Sequence, residues 1–139
     1  MQQQAESDLR ALLAGMTPVL NPGRYVFCTS KDAALVPLEK TVGFFRESEG
    51  VTFILEEAAA LGLGLEYSYV AAWISLTVHS SLAAVGLTAA FSAALAARGI
   101  SCNVVAAYYH DHIFVDYAEA QQAMAVLAEL SEQAGRPGL

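Results

Sequence analysis

Charge is scarce in this chain and cysteine scarcer still. Only 15% of the 139 residues are Asp, Glu, Lys or Arg, and two are cysteine. Two thiols cannot build the framework of a disulfide-rich secreted domain. Cys28 and Cys102 each sit in an apolar, strand-like run, where a free thiol packs as a small hydrophobe. Basic residues are the rarer charge: seven Lys and Arg against fourteen Asp and Glu leave a net charge of −7. That sign repels phosphate backbones and anionic lipid, so nucleic acid is excluded as the expected partner. With 55% apolar residues the chain has too much hydrophobic surface to stay disordered. Its length fits one ordinary domain or two very small ones, below the size of a large multidomain enzyme.

Several motifs are missing as well. There is no nucleophile elbow, phosphate-binding glycine loop, paired metal-binding cysteine motif or dinucleotide fingerprint, so no cofactor and no catalytic set are expected. Glu47/Glu49 and Glu56/Glu57 are carboxylate pairs, but each lies beside a turn or a helix start, where such charge is solvated or favours the helix dipole. No Asp, Glu, Lys or Arg occurs between Glu66 and Arg98. A bilayer takes about 20 apolar residues. His79, Ser80 and Ser81 interrupt that window, its first half alternates like a strand, and its second half is Ala-rich, so no membrane span is expected. The first residues, Met-Gln-Gln-Gln-Ala-Glu-Ser-Asp, lack the basic start and apolar stretch of a signal peptide; the expected compartment is the cytoplasm.

What is present is periodicity. Leu9, Leu12, Leu13 and Met16 have helical spacing over Asp8–Met16. Thr17-Pro18 and Asn21-Pro22-Gly23 read as breaks, followed by a strand over Arg24–Thr29 and a loop over Lys31–Thr41. Val42–Arg46 and Val51–Leu55 form a hairpin through Glu47-Ser48-Glu49-Gly50, and Glu56–Leu61 is a brief helix closed by Gly62 or Gly64. From Tyr69, the alternation of Val70, Ala72, Ile74, Leu76 and Val78 with Trp73, Ser75, Thr77 and His79 predicts a strand. Its second face is too aromatic to stand open, so a further sheet or another protomer is expected to cover it. A helix capped by Ser80 or Ser81 follows, with Leu87, Phe91, Ala94 and Leu95 as its buried stripe and Gly99 as its stop. Strands over Cys102–Tyr109 and His112–Tyr117 turn at His110-Asp111, and a helix over Ala118–Gln133 ends the pattern. Strand, helix, strand, strand, helix is most of a ferredoxin-like βαββαβ unit, and Tyr25–Thr29 or Val51–Leu55 can supply the last strand. The expected fold is α+β: two ferredoxin-like units sharing one core, residues 1–64 and 65–139, with antiparallel sheets and helices on one face.

The run from Thr77 through His79, Ser80, Ser81, Val85 and Gly86 to Thr88, then Gly99–Val104 and Tyr108–Val115, resembles the ACT domain. The chain is similar in particular to small bacterial tandem ACT-like proteins of unassigned function, with Pro18–Phe27 and Phe45–Leu55 matching a more divergent first unit. The resemblance implies a regulatory, non-catalytic module that binds an amino acid or related metabolite where the loop after the first strand meets a neighbouring unit. By that carry-over Val85, Gly86, Leu87 and Thr88 lie at the ligand-facing loop and helix start, and Asn103 opens the second strand. The first unit shows no clear counterpart of the Gly86 loop. A homodimer that reports to a separate effector protein is expected.

The residues themselves point the same way. Ser80 and Ser81 precede a helix whose unpaired amides favour a carboxylate or phosphate, and Gly86 permits close approach of a ligand. Both serines can equally serve only as caps, and Gly86 only to ease packing. Asn103 either bonds a ligand or ties down the loop after Gly99. First and third strands of such a unit are neighbours, which brings His79 toward His110, Asp111 and His112. That set forms part of the expected ligand site. The alternative is a metal-binding protein or metal-dependent enzyme, since imidazole and carboxylate suit Zn²⁺ or Ni²⁺.

Overall fold

The computed structural model describes residues 2–78 and 86–136. Its elements are α1 (Gln2–Ala14), β1 (Thr17–Ser30), β2 (Thr41–Glu47), β3 (Gly50–Glu56), α2 (Glu57–Gly62), β4 (Val70–Thr77), α3 (Leu87–Ala96), β5 (Cys102–Ala106), β6 (Asp111–Asp116) and α4 (Ala120–Gly135). Single 3₁₀ turns precede β2 at Leu38–Lys40 and α4 at Tyr117–Glu119. Hydrogen-bonded strand neighbours follow the order β2-β3-β1-β4-β6-β5. The fold class is the α+β one that the pattern of strands and helices predicts.

By contacts the chain divides into two units. One comprises Pro22–Ala72; the other takes the described residues up to Asn21 and those from Trp73 onward. The division cuts β1 and β4, so each strand contributes to both units.

In the Pro22–Ala72 unit, β3 pairs antiparallel with β1, Tyr25 opposite Glu56 through Ser30 opposite Val51, and β2 pairs antiparallel with β3. The β2–β3 ladder is irregular between Thr41 and Gly43, where its register shifts. Val26, Cys28, Val36, Phe53, Leu55 and Ala60 form the core, with Ala59, Leu63 and Val70 packed against it. Two-residue alternation explains this selection: Val26 and Cys28, and Phe53 and Leu55, share one face of their strands. The helix α2 ends on Gly64 at φ +70°, where the Leu65 amide reaches back to the Ala60 carbonyl at 2.9 Å. That is a left-handed C-terminal cap, available to glycine without a Cβ penalty.

In the other unit β5 and β6 pair antiparallel, Cys102 opposite Val115 through Ala106 opposite Asp111. The helix α4 packs against both α1 and α3. Leu13, Met16, Phe91, Leu95, Ile113, Val115, Ala123 and Leu127 are buried there. The first and last helices are tied together: the Ser131 hydroxyl lies 3.1 Å from the carbonyls of both Ala14 and Met16, and Arg10 donates to the Arg136 carbonyl at 2.7 Å.

The structure differs from the sequence pattern in several places. The helix α1 spans Gln2–Ala14 rather than Asp8–Met16, and α3 begins at Leu87 with Gly86, rather than Ser80 or Ser81, at its N-cap. β1 and the β5–β6 turn depart from the pattern too. Thr17-Pro18 and Asn21-Pro22-Gly23 do not break the chain, which runs as one strand from Thr17 to Ser30. The reason is that within β1 only Tyr25–Ser30 pair with β3, so the earlier residues have that side open, and proline is tolerated on a strand side that has no ladder bond to lose. The strand that completes the second repeat is therefore the start of β1, with Thr77 donating to the Thr17 carbonyl at 3.0 Å. The β5–β6 turn is also displaced: Ala107 donates to the His110 carbonyl and puts Tyr108 and Tyr109 at the tip, both about three-quarters exposed. Asp111 already belongs to β6.

Candidate functional site

In chain order α3 is the element that follows β4. Gly86 occupies the N-cap of α3 at φ +95° and ψ −17°, and its carbonyl accepts the first helical bond from Ala90 at 2.9 Å. Gly86 has no side chain with which to cap this end, so any acceptor for the first-turn amides and the positive end of the helix dipole comes from another residue or a ligand. The φ value suits glycine, and a Cβ there would also come within 3.2 Å of Leu9 Cδ2. Leu87 is buried, Gly86 half-buried and Thr88 exposed. His79, Ser80, Ser81 and Val85, expected at this loop, lie outside the described residues.

Asn103 lies on β5 opposite Phe114 and is exposed. His110, Asp111 and His112 follow one another into β6, each half-buried. His112 does not face the end of β4. Its Nδ1 lies 3.0 Å from Trp73 Nε1 and 3.0 Å from Ser75 Oγ, both in the body of that strand. The Trp73 ring is 5.7 Å from the His112 ring and stacks at 6.3 Å on Phe114.

The donor and acceptor roles in this cluster follow from the groups' chemistry. Asn21 Nδ2 is 3.2 Å from the Trp73 carbonyl, which can only accept, so that atom is the amide nitrogen. Its second hydrogen then goes to Ser75 Oγ at 3.0 Å. The Ser75 hydroxyl is left to donate onward, and indole N–H is a donor only. Both converge on His112 Nδ1, which is therefore an acceptor, and the imidazole proton sits on Nε2. Burial, with a further push from His110, holds the His112 pKa below its ordinary value, against an opposing pull from Asp111. Burial pushes the Asp111 carboxyl up, partly offset by His112. His110 Nδ1 is buried without a hydrogen-bond partner among the described residues. Among those same residues no group of three or more His, Cys, Asp or Glu side chains is placed to hold a metal ion.

Asn21 and Ser75 escape a reading of the sequence for functional residues. Asn21 looks like a turn residue beside Pro22-Gly23, and the signal that could have found it is the Thr17-to-Ser30 strand itself. In the Pro22–Ala72 unit Glu57 is not merely solvated. Arg24 Nε and Tyr67 Oη donate to its two oxygens at 2.9 and 2.8 Å, and these bonds hold its carboxyl below the usual range.

Two ACT domain family models match this chain, one over residues 4–72 and the other over residues 68–129. A crystal structure of a protein of unknown function from Vibrio cholerae, described as a possible transport protein, is 49% identical, covers 91% of this chain and 98% of its own, and superposes with a TM-score of 0.82. The chain belongs to the ACT-domain family. ACT domains are regulatory, non-catalytic modules that bind small molecules and often oligomerise, and this chain carries two in tandem. The tandem ACT fold is shared more widely. A protein from Agrobacterium tumefaciens superposes at TM-score 0.62 with 15% identity, over 84% of this chain and 89% of its own. The ligand-free regulatory subunit of aspartate kinase from Thermus thermophilus does so at 0.58 with 11% identity, over 88% and 99%. No curated protein matches the chain significantly. No helix among the described residues is long and apolar enough to cross a membrane.

Proposed function

We propose that this protein is a non-catalytic sensor that binds an amino acid or a related small metabolite and reports occupancy to a separate effector protein. The site is the loop after β4 and the start of α3: His79, Ser80, Ser81, Val85, Gly86, Leu87 and Thr88, with Asn103, His110, Asp111 and His112 as further contacts. The observation that carries this reading is Gly86, a left-handed residue at the head of a ten-residue helix that it leaves without a side-chain cap of its own. First-turn amides there suit a ligand carboxylate. The protein acts in the cytoplasm as a homodimer.

A thermal-shift screen of the twenty amino acids and common nucleotides tests the proposal. A ligand at 100 times its Kd adds about 2.7 kcal/mol to stability. The expected result is a raised melting temperature with one chemical class of carboxylate, lost in Gly86→Val. No shift with any compound removes the sensing role. Sedimentation with and without that ligand then reads whether assembly depends on occupancy.

His110 Nδ1, which has no hydrogen-bond partner among the described residues, favours one second reading, a bound divalent metal. Metal analysis of untagged protein decides it: metal-free protein whose melting is unmoved by chelator and by added Zn²⁺ excludes this alternative.

A further inference from the structure

A βαββαβ repeat places a helix between its first two strands, and in one unit α3 fills that role between β4 and β5. In the Pro22–Ala72 unit the corresponding link, between β1 and β2, is a loop with one 3₁₀ turn at Leu38–Lys40. Only Val36 of that loop is buried in the core. A cavity of about 300 Å³ remains beside it, lined by Ala34, Val36, Leu38, Phe44 and Phe53, with Arg46 also on its wall. This volume is at the lower end of small-molecule sites, which are characteristically apolar with a few polar groups. Phe44 is 51% exposed and Leu38 76% exposed, although both line it.

Arg46 is what gives the cavity a chemical preference. Arg24, Arg98 and Arg136 are matched to Glu57, Glu129 and Glu132. Among the described residues no carboxylate lies within ion-pair distance of Arg46. A guanidinium so placed in a chain of net charge −7, on the wall of an apolar cavity, matches a carboxylate joined to a small hydrocarbon or aromatic body. We infer that the cavity beside the 31–41 segment is a binding site for a small apolar carboxylate, whose body lies against Phe44 and Phe53 and whose anionic end pairs with Arg46. The site is separate from the loop at Gly86 and does not depend on the sensing role proposed there.

Amide NMR titration of the full chain with hexanoate and phenylacetate tests the inference, with hexanamide and phenylacetamide as neutral controls. The expected result is saturable shifts of the Ala34, Val36, Leu38 and Phe53 amides by the acids. The neutral controls are expected to bind about tenfold more weakly, and Arg46→Gln to lower acid affinity by about the same factor. Ala34→Trp, which fills the cavity and leaves Arg46 in place, is expected to abolish the shifts. Absence of shifts at about 10 mM acid, a concentration well above a millimolar Kd, overturns the inference. Equal binding of acids and neutral controls, or undiminished binding to Arg46→Gln, does so too. So does a dependence of the same resonances on protein concentration alone, because a second copy of the chain then occupies the cavity. Shifts confined to residues near Gly86 overturn this site while supporting the other.

Discussion

Burial, with a push from His110, disfavours protonation of His112. Protonating Nδ1 costs the Trp73 hydrogen bond and places a cation beside His110 in a half-buried position. Its native pKa lies below the ordinary 6.5, so above that value neither the native nor the unfolded state carries the proton and the stabilisation is fully present. As the pH falls through the lowered native value, that stabilisation is lost, because the unfolded chain takes up the proton first. Asp111 acts in the opposite sense. Its pKa is raised from 3.8, so its contribution is present below 3.8 and is lost as the pH rises through the raised native value. Urea unfolding at about pH 7.5, 6.5 and 5.5, which brackets the ordinary histidine value, should therefore show stability falling with acidification, with a shallower fall in His112→Gln. Trp73→Phe removes the indole donor. Proton NMR of the histidine ring is expected to show the His112 pKa rising toward its ordinary value, with a loss of about 1 kcal/mol in stability.

At the scale of elements, the start of α3 and the whole of β1 depend on backbone features that side chains only reinforce. Gly86→Ala forces an L-residue to φ +95° and a methyl group toward Leu9, at a cost of roughly 1–2 kcal/mol read by equilibrium unfolding. β1 shows how a breaker-rich stretch can still be a strand. Asn21 donates from it to the Trp73 carbonyl and to Ser75, so a residue that reads as part of a turn holds β4 and the His112 cluster in place. Asn21→Leu removes both bonds from a part-buried position, an expected loss of about 1–3 kcal/mol in urea unfolding.

For the molecule as a whole, repeat and folding unit are different divisions. We propose that the repeats divide as residues 1–64 and 65–139. The contacts instead group the described residues up to Asn21 with those from Trp73 onward. A fragment of residues 65–139 lacks α1, with the buried Leu13, and lacks Met16 and the start of β1 as well. Each such buried side chain is worth about 1.5–3 kcal/mol, a large part of the stability of a small domain. Circular dichroism of the fragment is expected to show no cooperative melt, and a cooperative melt would show that the second repeat folds alone.

The sequence by itself determined the strands from β2 to β6 and the apolar stripes of α3 and α4, because alternation and helical spacing are local and burial follows them directly. The family and its two repeats were legible only through the resemblance carried by the runs at 77–88, 99–104 and 108–115. Gly86 was placed at the helix start by the family resemblance; that it is the left-handed N-cap of α3, in place of Ser80 or Ser81, was decided by the structure. Only the tertiary structure decided that β1 is continuous, since the tolerance of Pro18 and Pro22 depends on which strand lies beside them. It alone decided that His112 faces Trp73 and Ser75, because strand register, a long-range property, selects which side chains meet. The cavity beside Val36 belongs to the same class: a loop in place of a helix is written in the chain, but the space it leaves open exists only once the strands are assembled.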